Sequence, residues 1–269
     1  MPLSRRDFLN LAAGGLTSDL LLRTSRARAS EVPRIRALVF DAFPILDPRP
    51  VFLLAEALYP GQGADLSKLW RNRQFEYQWL RALSGHYVDF WQATDDALVF
   101  SANALKLELP AQKRSLLMEA YLELKVWPDV PSALHALRGS GVRLGVLSNA
   151  TAKILESGIR NSDLTDLFEH VLSTDALRTY KPAPRAYQMA VDAFGLPREE
   201  IGFVAFAGWD VAGAKWFGYP TFWVNRLKSP REELSVSPDV TVGTVAELVT
   251  LLQKGGYAAN TQPERTPGV

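Results

Sequence analysis

The chain has 269 residues, with 30 Lys and Arg against 29 Asp and Glu, no cysteine, and 47% hydrophobic residues. This is ample chain to bury a core, in one large domain or two small ones, and its near-average composition excludes wholesale disorder, collagen-like repeats and disulfide-stapled scaffolds. A formal charge of +1 gives no reason to expect a nucleic-acid partner, and the absence of cysteine excludes a thiolate nucleophile, Cys-ligated zinc and iron–sulfur centres.

The charge is unevenly spread. Residues 1–29 carry Arg5, Arg6, Arg23, Arg26 and Arg28 against Asp7 and Asp19, a net of +3, which leaves a net of −2 on the remainder. Ser4-Arg5-Arg6-Asp7-Phe8-Leu9 precedes an apolar run from Leu11 to Leu22, and Ala27-Arg28-Ala29 follows as a small-residue cleavage site. This order resembles a twin-arginine export signal over residues 1–29. The run is too short and too polar for a stable transmembrane span. The expectation is therefore a protein exported to a periplasm or beyond, with no membrane association once the signal is cleaved.

Four apolar runs follow in chain order: Arg36 to Phe40, Val142 to Leu147, Ile201 to Phe206, and Pro220 to Val224. Helical patterns separate them, at Pro131–Arg138, Ala152–Asn161, Pro184–Phe194 and Val211–Phe217. Strand–helix alternation of this kind predicts an α/β fold, a doubly wound, mainly parallel, Rossmann-like sheet with ligands bound beyond the carboxyl ends of its strands. The alternation breaks between residues 51 and 126. There Leu66, Leu69, Trp70, Gln74, Tyr77, Leu80 and Leu83 recur at three- and four-residue spacing. That stretch predicts an inserted helical cap, with the α/β core in residues 30–50 and 127–258. The polar, Pro-containing residues 259–269 read as a disordered tail.

Polar residues stand where these strands end. Asp41 directly follows the first apolar run, where a carboxylate is exposed as a nucleophile. Ser148 and Asn149 close the second, Lys181 precedes Pro182 in a loop, and Asp210 lies after the third run and before a helix. Singly, each aspartate also reads as a helix N-cap and the lysine as a solvated charge.

Together they carry a resemblance. Phe40-Asp41-Ala42-Phe43-Pro44-Ile45-Leu46, Leu147-Ser148-Asn149-Ala150-Thr151, Tyr180-Lys181-Pro182 and Trp209-Asp210-Val211-Ala212-Gly213-Ala214-Lys215 resemble the four motifs of the haloacid dehalogenase-like superfamily. The stretch Leu69-Trp70-Arg71-Asn72-Arg73-Gln74-Phe75-Glu76-Tyr77-Gln78-Trp79-Leu80-Arg81 resembles the cap of the type II L-2-haloacid dehalogenases. Gly218-Tyr219-Pro220-Thr221 and Val224-Asn225-Arg226 continue the match. The resemblance implies hydrolytic dehalogenation of short L-2-haloacids to D-2-hydroxyacids, with water as co-substrate, no metal and no cofactor. Asp41 would attack the carbon bearing the halogen and form an ester that water hydrolyses. Arg71 would assist the leaving halide, and Ser148 and Asn149 would hold substrate carboxylate and halide. Lys181 would keep Asp41 ionised, and Asp210 would serve the hydrolytic step. Phe43, Phe90 and Trp209 would wall the halogen, with Tyr187 supporting the substrate site. The family is commonly homodimeric, and the aromatic cap would offer an interface.

Position 43 separates branches of the superfamily. Phosphatases place a second aspartate two residues after the nucleophile, as the acid for an oxygen leaving group. Here that residue is Phe43, and a halide leaves without a proton. Other positions depart from the dehalogenase pattern. Pro44-Ile45 replace the usual Gly-Thr, and Ala205 and Ala207 stand where polar residues usually face the water. These changes predict a slow hydrolytic half-reaction. Two further readings remain open: a catalytically degenerate carboxylate-binding paralogue, and a phosphohydrolase of the same superfamily.

Overall fold

A computed structural model of the protein describes residues 35–254. The expected export signal and the expected tail lie outside the described residues.

Six short strands form one sheet: β1 (Ala37–Phe40), β2 (Arg143–Ser148), β3 (His170–Ser173), β4 (Ile201–Ala205), β5 (Thr221–Val224) and β6 (Val240–Val242). Their order is β3-β2-β1-β4-β5-β6, and every neighbouring pair is parallel. All four residues of β1 are buried, as a central parallel strand covered on both faces requires. They alternate between two cores. Leu38 and Phe40 pack with Val130, Leu134, Ile154 and Leu248, while Ala37 and Val39 pack with Tyr187, Ala190, Phe194 and Val211. The helices supplying these partners are α6 (Val130–Gly139), α7 (Ala152–Arg160) and α10 (Val245–Gln253) on one face, and α8 (Pro184–Phe194) and α9 (Gly208–Phe217) on the other. The sheet is doubly wound, as the alternation predicts.

The two edge-side strands β3 and β6 are absent from the sequence reading. Each has only three or four residues and half-exposed burial, so neither makes an apolar run. A second difference concerns Asp210. Helix α9 begins at Gly208, so Asp210 sits inside its first turn rather than ahead of it.

Between β1 and β2 the polypeptide forms α1 (Ala42–Ile45), then α2 (Arg49–Leu58), α3 (Gly63–Ser84), α4 (Phe90–Ala104) and α5 (Ala111–Glu119). The cap leaves and rejoins the core through a paired stem. Leu46 bridges Val126 antiparallel, Asp47 N–H donates to Lys125 O at 2.8 Å, and Trp127 N–H donates to Ile45 O at 2.9 Å. Helix α3 ends at Gly85, whose φ of 77° places it in the left-handed region that glycine adopts without strain. Its buried face repeats every four residues through Leu66, Trp70, Gln74 and Gln78. Trp70 Nε1–H donates to Thr94 O (2.7 Å) and Gln74 Nε2–H to Thr94 Oγ1 (2.6 Å), locking α3 onto α4. Trp70 and Leu66 share one hydrophobic core with Phe40 and Val204 of the sheet. The cap therefore sits on the carboxyl edge of the strands rather than apart from it.

Candidate active site

The switch point of this sheet lies at β1, whose neighbours β2 and β4 lead away in opposite directions, and the site forms at the carboxyl ends of these three strands. Asp41 ends β1 and caps the short helix α1, accepting from Phe43 N–H at 3.3 Å on Oδ2. Its other oxygen, Oδ1, accepts from Ser148 Oγ at 3.1 Å and from Lys181 Nζ at 2.9 Å. Lys181 Nζ also donates to Asp210 Oδ2 at 2.5 Å and to Leu147 O at 3.2 Å. Asp210 Oδ1 accepts from Tyr187 Oη at 2.7 Å. A line of Asp41, Lys181, Asp210 and Tyr187 thus runs inward from the cavity, and Lys181 and Asp210 are each 1% exposed.

Burial acts oppositely on the two charges. It pulls the Lys181 ammonium down, but the Asp210 and Asp41 carboxylates outweigh it and hold the lysine above its ordinary value. Burial pushes the Asp210 carboxyl up to about 6, against the charge of Lys181, with Asp41 adding repulsion. The Tyr187 hydroxyl is driven well above its usual range, first by burial and then by Asp210, so it stays a donor.

The cavity in front of Asp41 offers about 40 Å³ to water-sized molecules. Asp41, Arg71, Gln74, Ser148, Asn149 and Lys181 supply its polar groups, and Phe43, Phe52, Phe75, Phe90, Phe206 and Trp209 most of its apolar wall. Arg71 comes from the cap. Among the described residues its guanidinium makes neither an ion pair nor a hydrogen bond, and it lies 5.7 Å from the centre of the Phe75 ring. Burial lowers its pKa, while Tyr121 and Asp41 pull upward, and the group remains a cation. Among the described residues no group of three or more His, Cys, Asp or Glu side chains is arranged to hold a metal ion, and no helix is long and apolar enough to cross a membrane.

The structure brings Asp41, Phe43, Arg71, Phe90, Ser148, Asn149, Lys181 and Trp209 to one cavity. It does not bring Tyr187 there. That residue is fully buried behind Asp210, and its expected place in the substrate site is corrected to one supporting the aspartate. Asp210 likewise stands one residue back and reaches the cavity only through Lys181. Sequence reasoning gave no site role to Gln74, Gln78, Tyr121 or Phe206. The signal for the two glutamines was present: they are polar residues in a stripe whose other members are Leu66 and Trp70.

A doubly wound parallel sheet with a helical cap inserted after its first strand, and an aspartate–lysine–aspartate line at the carboxyl edge, defines a capped α/β protein with a buried charged site. A family model for haloacid dehalogenase-like hydrolases matches residues 28–218. A haloacetate dehalogenase H-2 of Moraxella sp. is 43% identical over 81% of this chain and 98% of its own. An (S)-2-haloacid dehalogenase of Pseudomonas sp. strain YL is 40% identical over 81% of this chain and 95% of its own. Among solved structures, the L-2-haloacid dehalogenase RSc1362 superposes with a TM-score of 0.80 at 43% identity, covering 82% of this chain and 99% of that one. The chain belongs to the haloacid dehalogenase-like hydrolases, and within them to the L-2-haloacid dehalogenases.

Proposed function

We propose that this protein hydrolyses the carbon–halogen bond of short (S)-2-haloacids through an ester on Asp41. The observation that carries the reading is the pairing of charges around the cavity. Lys181 is committed to two carboxylates, whereas Arg71 faces the same space with no counter-ion among the described residues. A small anion entering beside Arg71 meets Asp41, and the relatives' names supply the class of anion. A cavity with room for a few water-sized molecules, walled by aromatic rings, suits a molecule of a few heavy atoms.

The two oxygens of Asp41 divide the work. Oδ1 is held by Ser148 and Lys181, while Oδ2 has only the long contact to Phe43 N–H. Oδ2 keeps free lone pairs and attacks C2. The carbon–halogen bond breaks, its electron pair leaves with the halide toward Arg71, and the configuration inverts. Oδ1 becomes the ester carbonyl oxygen. Water then adds at the Asp41 carboxyl carbon, and the negative charge developing on Oδ1 falls where Lys181 and Ser148 already donate. Collapse breaks the Cγ–Oδ2 bond, one proton of the water ends on Oδ2 as the product hydroxyl, and the other is released as the Asp41 carboxylate is restored. Asp210 acts behind them, anchoring Lys181 and keeping it charged.

The water side is sparsely equipped. The cavity wall that follows β4 holds Phe206, Ala207 and Trp209, Ala205 is fully buried, and Ser148 is committed to Asp41. Losing one positioned donor costs about 10²–10³ in rate, so the ester accumulates. Intact-mass measurement during turnover of L-2-chloropropionate is expected to find a large fraction of the protein alkylated. An enzyme that turns over rapidly with no mass increment would remove this part of the proposal. For the activity itself, the wild type is expected to release halide from the L isomer and not the D isomer, and Asp41→Ala to release none.

The N-terminal twin-arginine pattern supports export, which fusion of residues 1–29 to a reporter and assay of the periplasmic fraction would test. The cap aromatics Trp70, Phe75 and Trp79 turn inward, and the exposed Leu53, Leu80 and Leu83 of the cap instead support a homodimer, to be read from light scattering.

A further inference from the structure

Helix α3 does more than carry Arg71 to the cavity. Its consecutive residues Gln78 and Trp79 both reach the core at the segment holding the catalytic lysine. Trp79 Nε1–H donates to the backbone carbonyl oxygen of Lys181 at 3.1 Å. Gln78 Oε1 accepts from Asn149 Nδ2–H at 3.2 Å. Asn149 in turn grips the same residue's backbone on both sides. Its Oδ1 accepts from Lys181 N–H at 2.8 Å, and its Nδ2–H approaches Lys181 O at 3.4 Å. Thr174 Oγ1 donates to Asn149 Oδ1 at 3.3 Å and completes the set.

Gln78 is fully buried, and its Nε2 has no hydrogen-bond partner among the described residues. A group kept only for packing would be replaced at no loss by an apolar one of similar shape, because an unpaired buried donor destabilises the fold. Leu66 and Trp70, on the same stripe, show that the face accepts apolar groups. What Gln78 adds is its acceptor, aimed at the residue that fixes the lysine's backbone.

Resting on the dehalogenase reading above, we propose that Gln78 and Trp79 are positioning residues. Through Asn149 and the Lys181 backbone they tie the seating of the cap to the placement of the Lys181 ammonium on Asp41 Oδ1. Neither residue is among those lining the cavity. One helix of the cap thereby both presents Arg71 to the leaving halide and aligns the nucleophile's counter-ion.

The test measures ester formation on Asp41 in a single turnover with L-2-chloropropionate, by quenched intact-mass analysis, together with thermal stability. Gln78→Met keeps the shape and removes both the acceptor and the unpaired donor. It is expected to slow ester formation about tenfold while Tm stays equal or rises. Gln78→Glu keeps an acceptor and is expected to regain most of the rate. Trp79→Phe keeps the ring and loses the donor, and is expected to lower kcat with KM unchanged, since its bond is to the lysine backbone alone. Gln78→Met within twofold of wild type would overturn the proposal. So would equal slowing in Gln78→Met and Gln78→Glu with Tm lowered in both, the mark of a merely structural role. A wild type that forms no ester and releases no halide would instead overturn the dehalogenase reading itself, which the wild-type arm reports separately.

Discussion

Replacing Lys181 with methionine tests the electrostatics of the site most severely. The ammonium is 1% exposed and bonds to Asp41 at 2.9 Å and Asp210 at 2.5 Å. Methionine of similar length leaves two carboxylates facing each other in a buried space. Removing one partner of a buried ion pair costs about 3–5 kcal/mol. In a domain of this size each kcal/mol shifts Tm by about 2–4 °C, so Lys181→Met is expected to melt about 6–20 °C below wild type at pH 8. Asp210 can escape the repulsion by binding a proton, and its carboxyl already sits at about 6. The deficit should therefore narrow as pH falls from 8 to 5. Adding Asp210→Asn removes one of the opposed charges, so the double variant should recover much of the Tm. It should not recover turnover, because Asp41 Oδ1 still lacks its ammonium, and halide release stays at least about 10²-fold below wild type. Thermal unfolding followed by circular dichroism and a halide-release assay read both quantities. A single variant melting within about 2 °C of wild type at pH 8, less than the shift expected for 1 kcal/mol, or a double variant no more stable than the single one, would refute the reasoning.

Further expectations follow from the same geometry. The ionised form of Asp210 anchors Lys181, and its carboxyl is raised to about 6, so kcat should rise with pH through about 6 and fall about tenfold per unit below it. Lys181 is held above its ordinary range, so no alkaline limb should appear below pH 10, as a pH–rate profile would show. Arg71→Ala removes a cation with no counter-ion among the described residues; kcat/KM should fall about 10²–10³-fold while Tm stays the same or rises, read by kinetics and melting together. A methyl group added at Gly213 would lie 2.3 Å from Tyr187 Oη and 2.7 Å from Pro182 Cβ. Gly213→Ala should therefore cost about 1–3 kcal/mol in urea unfolding and slow turnover by pushing Tyr187 off Asp210.

The legibility of this fold in its sequence follows strand length. β1, β2, β4 and β5 are visible because central parallel strands must be apolar on both faces, and all but one of their residues are buried. β3 and β6 mix exposed, half-buried and buried positions over three or four residues, which gives neither an apolar run nor an alternation long enough to read. Asp41 and Lys181 are legible from motif and context, and the structure seats them 2.9 Å apart across 140 residues of sequence. The Arg71 contribution depends on the cap folding back over the strand ends, which no local pattern encodes and which only the resemblance conveys. Tyr187 shows the opposite failure. Its motif position suggests contact with substrate, but helix α8 packs against the sheet face opposite that of α6 and α10, and this turns the phenol into the core beneath Asp210. Gln78 lies in plain sight as a polar residue on a buried stripe, and its meaning emerges only with Asn149 placed opposite.

The central claim is that Asp41 is the nucleophile and that water attacks its carboxyl carbon. A single turnover in ¹⁸O-labelled water, with protein in excess over L-2-chloropropionate, tests it directly. The product hydroxyl oxygen then comes from Asp41 Oδ2 and the water oxygen enters the aspartate. Unlabelled hydroxyacid and a peptide containing Asp41 heavier by one ¹⁸O are expected. Labelled hydroxyacid with an unlabelled Asp41 peptide would contradict it.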